Sequence, residues 1–203
     1  MNLLTDRLPS EVWRVGDELY FDTDAPGDPD EVYDIAISYA SIINIFAMLQ
    51  HQGLTEFEKK LTMLRAFFLD RVPDDTERAG ELCYEFMACG AGAEDKKDIQ
   101  YYSWEQDGNY IYTAVNQSFS GVLDKEPDLH WWLFIAYFMD LTDGCRFNEI
   151  VANRYAHKKG KATKEQKEAR RQYPEIYVLK HIRKTDTETL DRAKELERIM
   201  NAK

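Results

Sequence analysis

The sequence predicts an all-α fold, a multi-helix bundle with a small N-terminal β-hairpin. Three observations carry this. Apolar residues recur at three- and four-residue spacing from residue 31 onward. Helix-start signatures precede two of those runs, Thr55 with Glu58 and Ser103 with Gln106. And the nine residues Trp131 to Met139 are all apolar or aromatic, which is expected of a central helix.

Taken in order, "EVWRVGDELYF" holds two β-rich runs flanking Gly16-Asp17, and Gly first in a two-residue loop predicts a type II′ turn. "DTDAPGDPDE" is a loop. "EVYDIAISYASIINIFAMLQHQG" predicts one long helix from Glu31 to about Gly53, with Asp34, Ser38 and Ser41 as a thin polar strip. The Thr55 helix carries Phe57, Leu61, Leu64 and Phe68 inward. "DDTERAGELCYEFMACG" puts Ala79, Leu82, Cys83 and Phe86 on one face, with Gly90 as the C′ stop. After the polar link 91–100, the Ser103 helix aligns Trp104, Ile111, Val115 and Phe119. "DLHWWLFIAYFMDL" follows, with Pro127 expected in its first turn. "CRFNEIVANRYAH" turns Phe147, Ile150, Val151 and Tyr155 inward. The basic segment after it is broken by Gly160 and Pro174. A last helix has the stripe Leu190, Ala193, Leu196, Ile199 and Met200. The expected organisation is a helical core domain over 1–156 and a basic helical extension over 157–203.

The chain of 203 residues and 23.8 kDa is long enough for one well-buried core. Its start lacks a signal-peptide pattern, and the apolar run Ile35 to Leu49 is too short to span a bilayer, so a protein of the cytoplasm is expected. Cys83, Cys89 and Cys145 are odd in number and lack CxxC spacing, which predicts free buried thiols. The net charge of −11 is polarised: residues 1–153 carry −18 and residues 154–184 carry +8. The acidic body repels nucleic acid, so any such contact falls to the basic segment, whose Tyr155, Tyr173 and Tyr177 are interleaved with cations. The same segment fits an ordinary solvated helix.

No catalytic, cofactor-binding or metal-ligating residue is assigned. His130 has no triad partner in its neighbourhood of sequence, and the reading that fits is an aromatic-flanked histidine satisfied by a backbone carbonyl. Counted from Asp22, the loop 22–30 places Gly27 correctly for a calcium loop, but Pro26 stands fifth and Tyr33 twelfth, where the bidentate carboxylate belongs. An acidic solvated loop is the expectation. Glu77, Glu81 and Glu85 share a helix face without the histidines of a carboxylate metal site, and predict a solvated or partner-facing stripe. No GxxxxGK[ST], GxGxxG, GxSxG or HExxH occurs.

"YYSWEQDGNYIYTAVNQSF", followed by "LDKEPDLHWWLFIAYFMDLTDGCRFNEIVANRYA", resembles a family of small proteins of long-tailed phages and prophages of Gram-positive bacteria. "MNLLTDRLPSEV" and "ELCYEFMACG" are similar to it as well. Where that family runs from its hairpin through a Thr-Asp-Phe-Arg-like stretch straight into the first long helix, this chain keeps Thr23-Asp24 and replaces the rest with a Pro/Gly/Asp loop. The resemblance implies a non-catalytic tail assembly chaperone encoded next to the tape-measure gene, with the helical tape-measure protein as client. It implies no cofactor. Self-association, a structural place in the virion at tail or neck, and a nucleic-acid-binding accessory role are the alternatives weighed beside it.

Overall fold

The computed structural model describes residues 7–51, 53–90 and 101–180. The start "MNLLTD", the polar link 91–100 and the terminal helix with the Leu190 stripe lie outside the described residues. The described chain is mostly helical with one small antiparallel sheet, and it divides into two compact units. One contains residues up to Glu94 with Asp128–Leu133. The other contains Asp95–Pro127 with Phe134–His181.

In the first unit, β1 (Glu11–Val15) is the centre of a three-stranded sheet with β2 (Glu18–Phe21) and β3 (Glu31–Asp34) on either side. Val15 pairs with Glu18 across the two-residue turn. Gly16 takes φ +65° while Asp17 does not turn positive, as a type II′ turn requires. The third strand corrects the long helix expected from Glu31. Val32 and Asp34 face solvent while Tyr33 and Ile35 are buried, a two-residue alternation, and Val12 pairs with Tyr33. The backbone beyond β3 is also engaged: the Ala36 N–H donates to the Phe67 carbonyl and the Leu69 N–H to the Asp34 carbonyl. The helix can therefore start only at α1 (Tyr39–Leu49), where the Ser38 hydroxyl accepts the Ser41 N–H.

α2 (Glu56–Phe67) opens with the expected capping box: Thr55 accepts the Glu58 N–H, and Glu58 accepts the Thr55 N–H. α2 packs on α1 and on α3 (Thr76–Met87), and α3 also meets β2. The core of this unit is Val12, Leu19, Phe21, Ile42, Ile45, Met63, Phe67 and Phe86. α3 ends in a Schellman motif. The Gly90 N–H reaches the Glu85 carbonyl and the Cys89 N–H reaches the Phe86 carbonyl. The left-handed C′ residue is thus Cys89 (φ +55°), with Gly90 (φ +71°) one place later than expected.

In the second unit, α4 (Trp104–Ser118) leads through left-handed Gly121 into the single turn α5 (Val122–Lys125). α7 (Arg146–Lys158) packs against α4, and α8 (Lys164–Gln172) and α9 (Pro174–Tyr177) pack on α7. An aromatic core joins Tyr102, Trp104 and Phe147 to Phe134 and Phe138 of α6 (Trp131–Met139). α6 begins four residues after Pro127, which is therefore outside it.

Residues 157–180, expected as part of an extension, are folded onto α4 and α7 here. A buried side chain, Arg154, and a half-buried one, Gln106, explain this. The Arg154 guanidinium grips Asp107 through both terminal nitrogens, at 2.6 and 2.9 Å, and also donates to the carbonyls of Tyr101 and Ile176. Gln106, expected to close a capping box, instead donates to the Glu175 and Val178 carbonyls and accepts the Lys180 N–H. Asp107 takes its place and accepts the Ser103 N–H. The helix stripe of α7 shifts accordingly: Asn153 and Arg154 are buried, and Tyr155, expected inward, is exposed.

Removing one member of a buried ion pair leaves an uncompensated charge, which typically costs about 3–5 kcal/mol. Asp107→Ala is therefore expected to lower unfolding free energy by about that amount in urea titration. Adding Arg154→Met should recover part of the loss, and a double variant no better than the single one would show that the pair is not coupled.

Candidate functional site

The stretch Leu129 to Trp132 ties together three parts of the first unit. Its backbone makes a short antiparallel bridge with the entry to α1: the Tyr39 N–H donates to the Leu129 carbonyl at 2.9 Å, and the Trp131 N–H donates to the Ile37 carbonyl at 2.7 Å. The Trp131 indole N–H donates to the Met87 carbonyl at 3.0 Å, and that of Trp132 to the Phe86 carbonyl at 2.8 Å. These are carbonyls at the end of α3, past the reach of the helix's own i+4 N–H groups, and that of Phe86 also accepts the Cys89 N–H. Both indoles are buried, Trp131 at 1% exposure and Trp132 at 7%. Their rings pack on Phe46 and Phe86.

His130 is the N-cap of α6. Its Nδ1 accepts the Trp132 N–H at 3.1 Å, so the proton sits on Nε2, which donates to the Pro9 carbonyl at 2.9 Å. Both ring nitrogens are committed to the neutral form. Burial pushes its pKa below the ordinary histidine value, against the opposite pull of the Pro9 carbonyl and Asp22. The expected carbonyl-satisfied histidine is what the structure contains.

The other candidate residues stay apart from it in chemistry. In the loop 22–30, Asp22 turns inward to accept the Ser10 and Glu11 N–H groups, and Asp30 accepts the Gly16 N–H. Among the described residues no group of three or more His, Cys, Asp and Glu side chains could hold a metal ion. Glu77, Glu81 and Glu85 lie exposed on α3 and pair with Lys60 and Arg78. Of the free thiols Cys83 is buried, while Cys89 and Cys145 are only partly so; burial raises Cys83 strongly and pushes Cys89 up to about 12. Sequence reasoning missed a basic cleft of about 310 Å³ in the second unit, between the residues before α4, α7, α8 and the segment after α9. Its residues are scattered from Tyr101 to Leu179, and only the cation-rich composition of 154–184 hinted at it.

Two helices keep apolar surface that packing does not bury. α6 consists of apolar residues alone, yet only Trp131, Trp132 and Phe134 are buried, and Met139 is 78% exposed. In α1 only Ile42 and Ile45 are buried, and Ile43, Phe46, Met48 and Leu49 remain partly exposed. Among the described residues no helix is long and apolar enough to cross a membrane.

A family model described as Bacteriophage Gp15 protein matches residues 27–179, well over half of the chain. The chain belongs to this bacteriophage protein family, a membership that points to a structural or morphogenetic role in the phage. No curated protein and no solved structure matches it.

Trp132→Ala removes a buried indole and with it one of the N–H donors to the Phe86 carbonyl, and truncations of this kind cost about 3–5 kcal/mol. The variant should unfold or melt far below the parent. If Trp131→Ala and Trp132→Ala both melted like the parent and lost a partner instead, the stretch would be a binding face. For His130 the lowered folded-state pKa means that the unfolded chain binds the proton more tightly. Its contribution is complete above the unfolded pKa of about 6.5 and is lost as pH falls below it. His130→Asn keeps a cap acceptor without titrating there, so its stability should fall less steeply than the parent's between pH 7 and 5.

Proposed function

We propose that this chain is a non-catalytic tail assembly chaperone, acting in the host cytoplasm on the phage tape-measure protein. The observation that carries the reading is the apolar surface left on α1 and α6. Packing within each unit uses only part of each helix's circumference, and amphipathic helices of a partner would cover each remaining face. Membership in a bacteriophage family supports the setting. The resemblance of the "LHWW" region to proteins encoded beside the tape-measure gene supports the client. A long helical client exposes apolar stripes before tail tube surrounds it, and helix-in-groove contact would keep it soluble.

Contact of this kind is mainly hydrophobic, with charge setting the approach. The acidic body, −18 over residues 1–153, suits a basic client segment. Co-expression with the tape-measure protein is expected to raise that protein's solubility and yield a stable complex. Salt at about 0.15 M screens mainly exposed charges beyond about 8 Å, so the complex should weaken only modestly. Affinity for DNA or RNA that falls by orders of magnitude over the same range, with no effect on the tape-measure protein, would sink the reading. A fixed copy number in purified particles would assign the protein to the virion instead.

A further inference from the structure

Two features stand outside that reading, and they are complementary. The first is the cleft of about 310 Å³ in the second unit. Arg154 at its edge is neutralised by Asp107, but Lys158 and Arg170 have no carboxylate within ion-pair distance among the described residues. Arg170 gives one N–H to the Tyr177 carbonyl at 2.8 Å and keeps its remaining donors. His157 is held by the Gln166 carbonyl. Among the described residues no acidic side chain lines the cleft, and Tyr101 and Val178 give it an apolar wall. It is fitted to an anionic group on a short stem.

The second feature is the loop between β2 and β3. Its outer aspartates are committed at the base, Asp22 to the Ser10 and Glu11 N–H groups and Asp30 to that of Gly16. Its inner aspartates, Asp24 and Asp28, are exposed, and among the described residues their carboxylates make no hydrogen bond or ion pair. Pro26 and Gly27 form the exposed tip between them. A loop fixed at its base loses little conformational freedom when its tip is bound.

We propose that the Asp24–Asp28 loop of one copy docks into the Lys158–Arg170 cleft of a second copy of this chain. The proposal does not depend on the identity of the client. Charge selects this occupant. The cleft lies in the segment of net +8, the loop in the body of net −18, and the same body repels a polyanion such as nucleic acid. Because loop and cleft are different surfaces, copies either exchange loops reciprocally as a two-fold pair or add head-to-tail into a ring or an open row. It is small and charged, so it is weak and salt-sensitive.

Sedimentation equilibrium of the full chain tests this with two neutralised variants. Lys158→Ala with Arg170→Gln strips the cleft while leaving a donor for the Tyr177 carbonyl, and Asp24→Asn with Asp28→Asn strips the loop. All four positions are exposed or partly so, and circular dichroism melts check that both variants fold. The parent's average mass should rise with concentration in about 0.01 M salt and fall back as salt approaches about 1 M, where screening acts within about 3 Å. Each variant alone should associate at least about tenfold more weakly, as removal of a complementary charge predicts. Their equimolar mixture should recover association but stop at a pair, because it holds one intact loop and one intact cleft for every two chains. A parent that stays monomeric up to about 1 mM, the weak limit of specific affinity, overturns the proposal. So do variants that associate like the parent, a mixture that does not recover, or a single-stranded oligonucleotide whose binding is lost in the Lys158→Ala, Arg170→Gln chain.

Discussion

The last turn of α3 leaves carbonyls that must be satisfied away from bulk water, and two indole N–H groups brought from more than forty residues downstream satisfy them. Around that junction the first unit is organised. The Schellman turn at Cys89 and Gly90 uses the Phe86 carbonyl a second time and that of Glu85 besides, the Leu129 and Trp131 backbone fixes the start of α1, and His130 fixes the chain before β1 through Pro9. The aromatic core around Phe67 and Phe86 is then filled by the same two indoles and by Phe46. Long-range closure of this kind makes the first unit depend on residues 128–133, well beyond the end of α3 in sequence.

Much of this was legible. The capping box at Thr55, the buried tryptophans, the carbonyl-bound histidine and the hairpin turn at Gly16 all follow from local rules, because each depends on neighbours a few residues away or on bulk hydrophobicity. The misreadings share a different cause. Val32 and Tyr33 suit a helix stripe and a strand alike, and only the partner strand β1 decides between them. Gln106 has the spacing of a cap, but carbonyls near residues 175–178 compete for its amide and win. Tyr155 continues an apolar periodicity, yet the buried corner it would occupy is lined with carbonyls and a carboxylate. A guanidinium satisfies these and a phenol does not, so Arg154 is taken inside.

The basic cleft was illegible for a related reason. Its cations are ordinary in sequence, and they acquire meaning only when Asp107 neutralises Arg154 while Lys158 and Arg170 have no carboxylate partner among the described residues. In the same way the acidic loop is unremarkable by composition until its outer aspartates are seen to be consumed by backbone N–H groups. Which charges remain available is decided by which have been spent on the fold. The half-exposed apolar faces of α1 and α6 follow the same logic in a different currency, since packing uses only part of each helix.

The pairing of consecutive indoles with consecutive carbonyls also counts residues. Trp131 meets Met87 and Trp132 meets Phe86, in opposite order along the two chains. A slip by one position would bring Leu133, which has no side-chain donor, or His130, whose two nitrogens are already occupied, to a carbonyl that an indole now serves. One inserted residue would further turn whatever follows it in the helix by about 100°. Drift in this part of the gene is accordingly constrained in length more tightly than in letter: conservative exchanges at Leu133 can be absorbed, whereas gaining or losing a single codon between 129 and 132 cannot.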